Sequence, residues 1–191
     1  KTKILQQTLN NEGAVIDSPV LSGFPGYRSP VLELGAPDDA NALLDKKWSR
    51  INAEDYRQKL ITAITSSTIN TSTLVIEATK EIDKTLSPAQ LFYRTDKEKN
   101  TAVLNLVTAD TQEYRQAAAL IAGYWQDIGI KTDITYVNQK EIAQTILRDR
   151  DYDVLLYGVI VGSDPDQFPF WHSSQTKYPG LNLSGYTNKK V

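Results

Sequence analysis

The sequence predicts an α/β fold, an open mixed sheet with a β-α-β-α-β parallel core flanked by helices. Three observations carry that expectation. TAVLNLVT at 101–108 and VLLYGVIV at 154–161 are apolar runs of strand length bounded by turn residues. The 130–136 segment alternates, with Ile130, Thr132, Ile134 and Tyr136 on one face and Lys131, Asp133 and Thr135 on the other, as a half-exposed strand does. Between these runs lie two stretches of helical periodicity, and helices between successive strands favour parallel neighbours with right-handed crossovers.

Taken from the start, residues 1–11 read as a short amphipathic helix. DSPVLSGFPGYRSP at 17–30 follows, and its three prolines and two glycines exclude regular elements. Asp38 and Asp39 can cap a helix running to about Lys46, with Ala40, Leu43 and Leu44 on its buried side and Trp48 as a core anchor at its end. A second helical pattern covers 53–65 through Tyr56, Leu60, Ile61 and Ile64, and dissolves into SSTINTST, where Ser and Thr favour local hydrogen bonds.

TLVIEA at 73–78 and LFYR at 91–94 read as short β-type runs, and DKEKN at 96–100 as a turn joining LFYR to TAVLNLV in a hairpin. Thr111 then caps a helix carrying Tyr114, Ala117, Ala118, Ile121, Trp125 and Ile128, which Gly129 terminates. A helix with Ile142, Ala143, Ile146 and Leu147 follows the alternating strand. Beyond the charged turn RDRDYD, VLLYGVIV reads as a strand buried on both faces.

Composition removes several function classes. At 191 residues the chain holds one sizeable domain, 1–191. Its net charge of −2, from 21 basic and 23 acidic residues, lacks the basic footprint of nucleic-acid binding. No cysteine and a single histidine rule out thiolate chemistry and a multi-histidine metal site; no metal and no cofactor are expected. No run of 18 apolar residues occurs, and the opening KTKILQQTLNNEG lacks the features of a signal peptide. Without an initiating Met, the chain reads as a fragment of a longer protein.

In open α/β sheets ligands gather beyond the carboxyl ends of the strands, here at Thr108 to Asp110 and from Gly162 onward. The 162–188 loop carries only three charged residues, Asp164, Asp166 and Lys177, yet holds Phe168, Phe170, Trp171, Tyr178 and Tyr186. An aromatic, weakly charged loop above a strand can form a binding wall. The same aromatics would also serve to pack the loop onto the sheet. The candidate contacts are Tyr157, Val161, Asp164, Phe168, Trp171 and His172, with Trp171 and His172 foremost.

Other motifs read as structure. GSDPDQ makes a turn with Pro165 at its second position and Asp166 opening a short helix. Asp149, Asp151 and Asp153 lack the glycine and distal Glu of a calcium loop. The sequons at Asn70 and Asn182 match a pattern common by chance. His172 beside Ser173 and Ser174 comes without a Gly-x-Ser-x-Gly elbow, so nucleophilic catalysis and enzyme activity are not expected.

From about 102 onward the chain resembles the family 5 solute-binding proteins, which include oligopeptide-, dipeptide- and nickel-binding components of ABC importers. Six pieces carry the resemblance in order and spacing: LNLVTAD, WQDIGIKTDI, RDRDYDVLLYG, SDPDQF, WHSSQ and NLSGYTNKKV. TKILQQTLNNEG, SGFPGY and DDANALLDKKW agree more loosely with the family's opening, while 52–88 looks like an insertion or a diverged segment.

The resemblance implies one lobe of a two-lobed, periplasmic-binding-protein-like fold that closes on its ligand by hinge motion and docks on a membrane permease. It implies an extracytoplasmic, monomeric protein, lipid-anchored or periplasmic, that captures a peptide or similar small solute. Peptide-binding members place an Asp four residues before the Pro of this motif to hold the peptide ammonium. Counting back from Pro165 gives Val161, which offers only apolar contact. A sensing or protein-interaction module that kept the fold is the alternative.

Overall fold

The computed structural model describes the whole chain except residues 29–34, 68–71, 163, 165 and 189–191. The end of the proline-glycine stretch, the Asn70 sequon and Pro165 of the expected turn therefore lie outside the described residues. The elements are α1 (Thr2–Leu9), α2 (Pro37–Leu44), β1 (Ser49–Asn52), α3 (Ala53–Ser67), α4 (Ser72–Thr85), β2 (Phe92–Thr95), β3 (Val103–Ala109), α5 (Gln112–Gln126), β4 (Lys131–Val137) and α6 (Gln139–Glu141). A π-helical turn (Ile142–Ile146), α7 (Leu147–Asp149), β5 (Val154–Leu156), α8 (Phe168–Trp171) and a 3-10 turn (Ser173–Gln175) complete it.

The chain forms two compact units, Lys1–Leu34 with Asn105–Leu120 and Ile134–Val191, and Gly35–Leu104 with Ile121–Asp133. The three-stranded sheet, most of whose residues belong to the first unit, has the order β4-β3-β5. β3 and β5 are parallel, with Leu106, Val107 and Thr108 opposite Val154, Leu155 and Leu156. Lys131 donates its N–H to the Ala102 carbonyl at the start of β4, and Asp110 donates to the Val137 carbonyl at its end. That order of contacts makes β4 parallel to β3 too, as the expected β-α-β-α-β core requires. Val107, Ala109, Val137 and Ile142 form the buried centre, with Tyr114, Tyr152 and Leu155 packed around it; apolar burial of this kind is the main stabilising term.

In the second unit β1 and β2 are antiparallel, Ser49 opposite Thr95 and Asn52 opposite Phe92. The four residues of β1 were too few and too polar to register in the sequence. LFYR is the strand it was expected to be, but its ladder partner is β1. The DKEKN turn still folds back: Thr95 and Thr101 form an antiparallel bridge, and Ala102 donates to the Arg94 carbonyl.

TLVIEA, expected as a strand, lies inside helix α4. Its β-branched residues mislead, because Val75, Thr79 and Ile82 recur at helical spacing on the sheltered face and Ile82 is buried. Arg57 of α3 and Asp83 of α4 pair through two hydrogen bonds of 2.6 and 3.0 Å. On α2 the N-cap is Ala36, whose N–H is received by the Asp39 carboxylate at 2.9 Å, and Leu43 faces solvent instead of the core. Trp48 is half-buried.

Arg94 is fully buried, and each of its three guanidinium nitrogens has an acceptor. It donates Nε–H to the Ile128 carbonyl, Nη1–H to Asp45 and Nη2–H to Asn41, at 2.6, 2.6 and 2.7 Å. A buried guanidinium is tolerable only with such partners. Asp45 also takes two hydrogen bonds from Arg50, and with Arg94 these hold its carboxyl well below the ordinary 3.8, at about 2. Gly129, the expected helix stop, has φ +83°, and a Cβ there would run into the Phe92 ring.

Two outcomes follow. Gly129→Ala combines a left-handed backbone with a steric clash and should lower stability in urea unfolding by about 2 kcal/mol or more. Because the folded pKa of Asp45 is depressed, its contribution is present at and above about pH 4 and is lost as pH falls toward 2. Asp45→Asn should therefore be less stable than the parent at neutral pH and lose less stability across that acid window, as read from Tm against pH.

Candidate functional site

β5 departs most from expectation. VLLYGVIV was to be a strand buried on both faces, yet only Val154–Leu156 is strand, and residues 157–161 leave the sheet exposed: Val159 at 48%, Ile160 at 97%. The reason lies in its partner. β3 turns away after Ala109 into the start of α5, so no strand remains for 157–161 to pair with. Gly158 to Val161 make no backbone hydrogen bond among the described residues.

What β5 does have is well fixed. Asp153 Oδ2 receives the Asn105 N–H at 2.8 Å, Asp153 N–H goes to the Asn105 carbonyl at 3.2 Å, and Thr108 Oγ1 donates to the Leu156 carbonyl at 2.8 Å. Thr108 is wholly buried, so its hydroxyl needs this acceptor. These bonds set where the strand stops and the free run begins.

The aromatic loop leaves the carboxyl end of this run and returns along the strand. Tyr152 donates its hydroxyl hydrogen to the Leu183 carbonyl at 2.7 Å, and Arg150 Nη2 donates to the Gly180 carbonyl at 2.6 Å. Between strand and loop lies a cleft of about 670 Å³, within the range of small-molecule sites. Leu155, Tyr157 and Val159 line one wall, and Phe170, Trp171 and Leu181 the other.

Asn182 holds the second wall in place. It is 1% exposed, and its Nδ2 lies 3.2, 3.1 and 2.9 Å from the carbonyls of Trp171, His172 and Tyr186, while Oδ1 accepts from Ser184 Oγ at 3.0 Å. Its own N–H goes to the Gln175 carbonyl at 3.1 Å. One amide thus ties three turns of a loop with little regular structure, and the Trp171 and Tyr186 rings meet edge to face at 6.4 Å. At that depth Asn182 is closed to glycosylation in the folded chain.

His172 stacks on Phe168 with ring centroids 4.3 Å apart. Its Nδ1 accepts the Ser174 N–H at 3.2 Å and lies 2.8 Å from Ser174 Oγ. The ring caps the 3-10 turn, and with Nδ1 accepting, Nε2 carries the proton of the neutral imidazole. Asp164 and Asp166 serve their turn, receiving the N–H groups of Asp166 and Phe168, each at 2.9 Å.

Of the six expected contact residues, Tyr157 and Trp171 line the cleft, whereas Val161, Asp164, Phe168 and His172 stand outside its lining. Val161 and Phe168 are exposed nearby in the chain, at 40% and 48%. Sequence reading missed Arg150, Tyr152 and Asn182. Asn182 sat in plain view as a sequon, but nothing local marks a side chain whose acceptors lie four to eleven residues away. Among the described residues no group of three or more His, Asp or Glu is placed to hold a metal, and no helix is long and apolar enough to cross a membrane.

A family profile described as bacterial extracellular solute-binding proteins, family 5 Middle, matches residues 1–180. The fold is similar to that of the oligopeptide-binding protein AppA from Bacillus subtilis, solved with a nonapeptide, at TM-score 0.62 and 20% identity over 98% of this chain. It is also similar to NikZ from Campylobacter jejuni, solved with Ni(L-His), at TM-score 0.57 and 13% identity over 99% of this chain. In each case the chain spans 31% of the length of the solved structure. No curated protein sequence matches it.

Asn182→Ala would remove the buried amide donor shared by the Trp171, His172 and Tyr186 carbonyls, a loss of about 1 to 3 kcal/mol. The expected result is a loosened 171–186 loop, seen as faster tryptic cleavage after the exposed Lys177, with cleavage elsewhere in the chain unchanged.

Proposed function

Because this chain belongs to the family 5 bacterial extracellular solute-binding proteins, we propose that it supplies one wall of the solute clamp in the binding component of an ABC importer. The clamp captures a peptide or similar small solute outside the cytoplasmic membrane and hands it to a membrane permease. The chain corresponds to part of one lobe of a two-lobed, monomeric protein, and the second lobe closes over the solute.

The observation that carries this reading is the free backbone of 158–161 beside the cleft. Exposed peptide groups in extended chain are a template for another strand. A peptide laid alongside would take up those N–H and C=O groups, while its side chains meet Trp171 and Tyr157. This mode needs no ammonium anchor, which fits Val161 at the position where peptide-binding relatives carry Asp. It also favours solutes longer than a dipeptide, because the affinity is spread along main chain.

Catalysis has no part in this reading. The His172–Ser174 contact is spent on a local cap, so its geometry is that of a turn and not of a nucleophile and base. Val161 lends some support to a second role, a sensing module that kept the fold. Permease and ATPase genes beside the coding sequence would argue for transport, and their absence for sensing.

Native mass spectrometry of the intact gene product purified from its own cells should find a retained solute of peptide mass. Adding that solute to stripped protein should compact it in solution scattering. Trp171→Ala should weaken binding roughly tenfold or more in calorimetry. No compaction and no binding across a peptide panel would count against the clamp.

A further inference from the structure

The free run has two faces, and only one of them looks into the cleft. Leu155, Tyr157 and Val159 line it, whereas Leu156, Gly158 and Ile160 do not, which is the two-residue alternation of a chain in β conformation. On the other face Gly158 is bare. A Cβ built on it would lie 2.6 Å from the Tyr114 Oη, closer than non-bonded atoms stand, so the missing side chain at 158 is what lets that hydroxyl reach the run.

Tyr114 belongs to the first turn of α5, and its ring packs against the buried centre of the first unit. That packing accounts for the ring and leaves the hydroxyl unexplained, since a phenylalanine would fill the same space. Among the described residues the Oη takes no hydrogen-bond partner and is not one of the polar atoms shut off from water.

A solute strand laid beside the run would share its two faces, because successive side chains point to opposite sides. Those that meet Trp171 and Tyr157 in the cleft are flanked by one that stands opposite Gly158 on the Tyr114 side. Directly opposed residues of paired strands carry their Cβ atoms about 4.5–5.5 Å apart. With the Oη next to where the Gly158 Cβ would be, one hydrogen bond to a short polar side chain spans that interval. Further along the same face Ile160 is apolar and exposed, so the hydroxyl marks a single position. The charged neighbours of Tyr114 in sequence are committed, Arg115 to Asp110 and Glu113 to the Thr111 hydroxyl, which leaves a neutral group to be recognised.

We infer that Tyr114 is a specificity-determining residue of the clamp: its hydroxyl, given room by Gly158, hydrogen-bonds a neutral hydroxyl or amide side chain of the solute on the face away from the cleft. The inference rests on the clamp reading and deepens it, from peptides at large to extended peptides that are apolar on one face and carry a Ser, Thr, Asn or Gln on the other. A tyrosine hydroxyl both donates and accepts, so either kind of group satisfies it. A methyl in the same place would leave it covered and unpaired.

The test is a cycle on the intact gene product by calorimetry. The probes are two lysine-flanked hexapeptides that differ at one central position, Thr in one and the isosteric Val in the other, offered to the parent, to Tyr114→Phe and to Gly158→Ala. The parent should bind the Thr peptide roughly tenfold tighter, and the ratio should fall to about one in both variants. Tyr114→Phe removes the hydroxyl, and Gly158→Ala puts a methyl where it sits. Because the Oη serves no bond among the described residues, Tyr114→Phe should melt at the temperature of the parent, which separates recognition of the solute from support of the fold.

Equal affinity for the two peptides in the parent, or a preference that survives either substitution, overturns the role of Tyr114 and leaves the clamp standing. So does a Tyr114→Phe protein that melts lower, since the hydroxyl is then spent on the fold. Binding of neither peptide overturns both.

Discussion

Everything distinctive about this chain follows from how briefly β5 is paired. β3 accompanies it for three residue pairs and then turns into α5, and a parallel strand without a neighbour has no ladder to continue. An apolar sequence suited to the middle of a sheet is left outside it and exposed, beside a cleft, with its peptide groups unspent. That is an unfavourable state for a folded chain on its own, and one that the proposed solute would relieve.

The loop that faces this run is ordered by polar contacts more than by packing. Asn182 fastens the backbone at Trp171, His172 and Tyr186, and Tyr152 and Arg150 fasten the return segment at Leu183 and Gly180. Such bonds fix a wall in place without filling the space in front of it, so the aromatic rings of Trp171 and Tyr157 remain available. In the other unit the same logic appears at Arg94, where Asp45, Asn41 and the Ile128 carbonyl give each nitrogen of a buried cation an acceptor. Arg150 differs from Arg94 in that its set of acceptors is incomplete.

The α/β core was legible because strong periodicities fixed it: alternation at 130–136, helical spacing from Tyr114 to Trp125, and a glycine stop at Gly129 whose left-handed backbone the structure confirms. The order of motifs from LNLVTAD to NLSGYTNKKV was legible too, since its resemblance to family 5 agrees with the family profile that matches residues 1–180. Failures have physical causes. VLLYGVIV reads the same whether or not a neighbouring strand exists, because hydropathy records what a segment would bury and not what is there to bury it. TLVIEA shows helix spacing overriding β-branched composition. Within the site, Trp171 and Tyr157 announced themselves as aromatics near a strand end, whereas Arg150 and Asn182 are defined by partners distant in sequence, which no local pattern encodes.

The central claim is that the free backbone of 158–161 is where a solute is held. Hydrogen–deuterium exchange of the intact gene product, with and without its bound solute, measures that backbone directly. The amides of Gly158 to Val161 should exchange within seconds in the stripped protein and slow by roughly tenfold or more on binding. A solute that binds tightly while those amides exchange as fast as before would contradict the account.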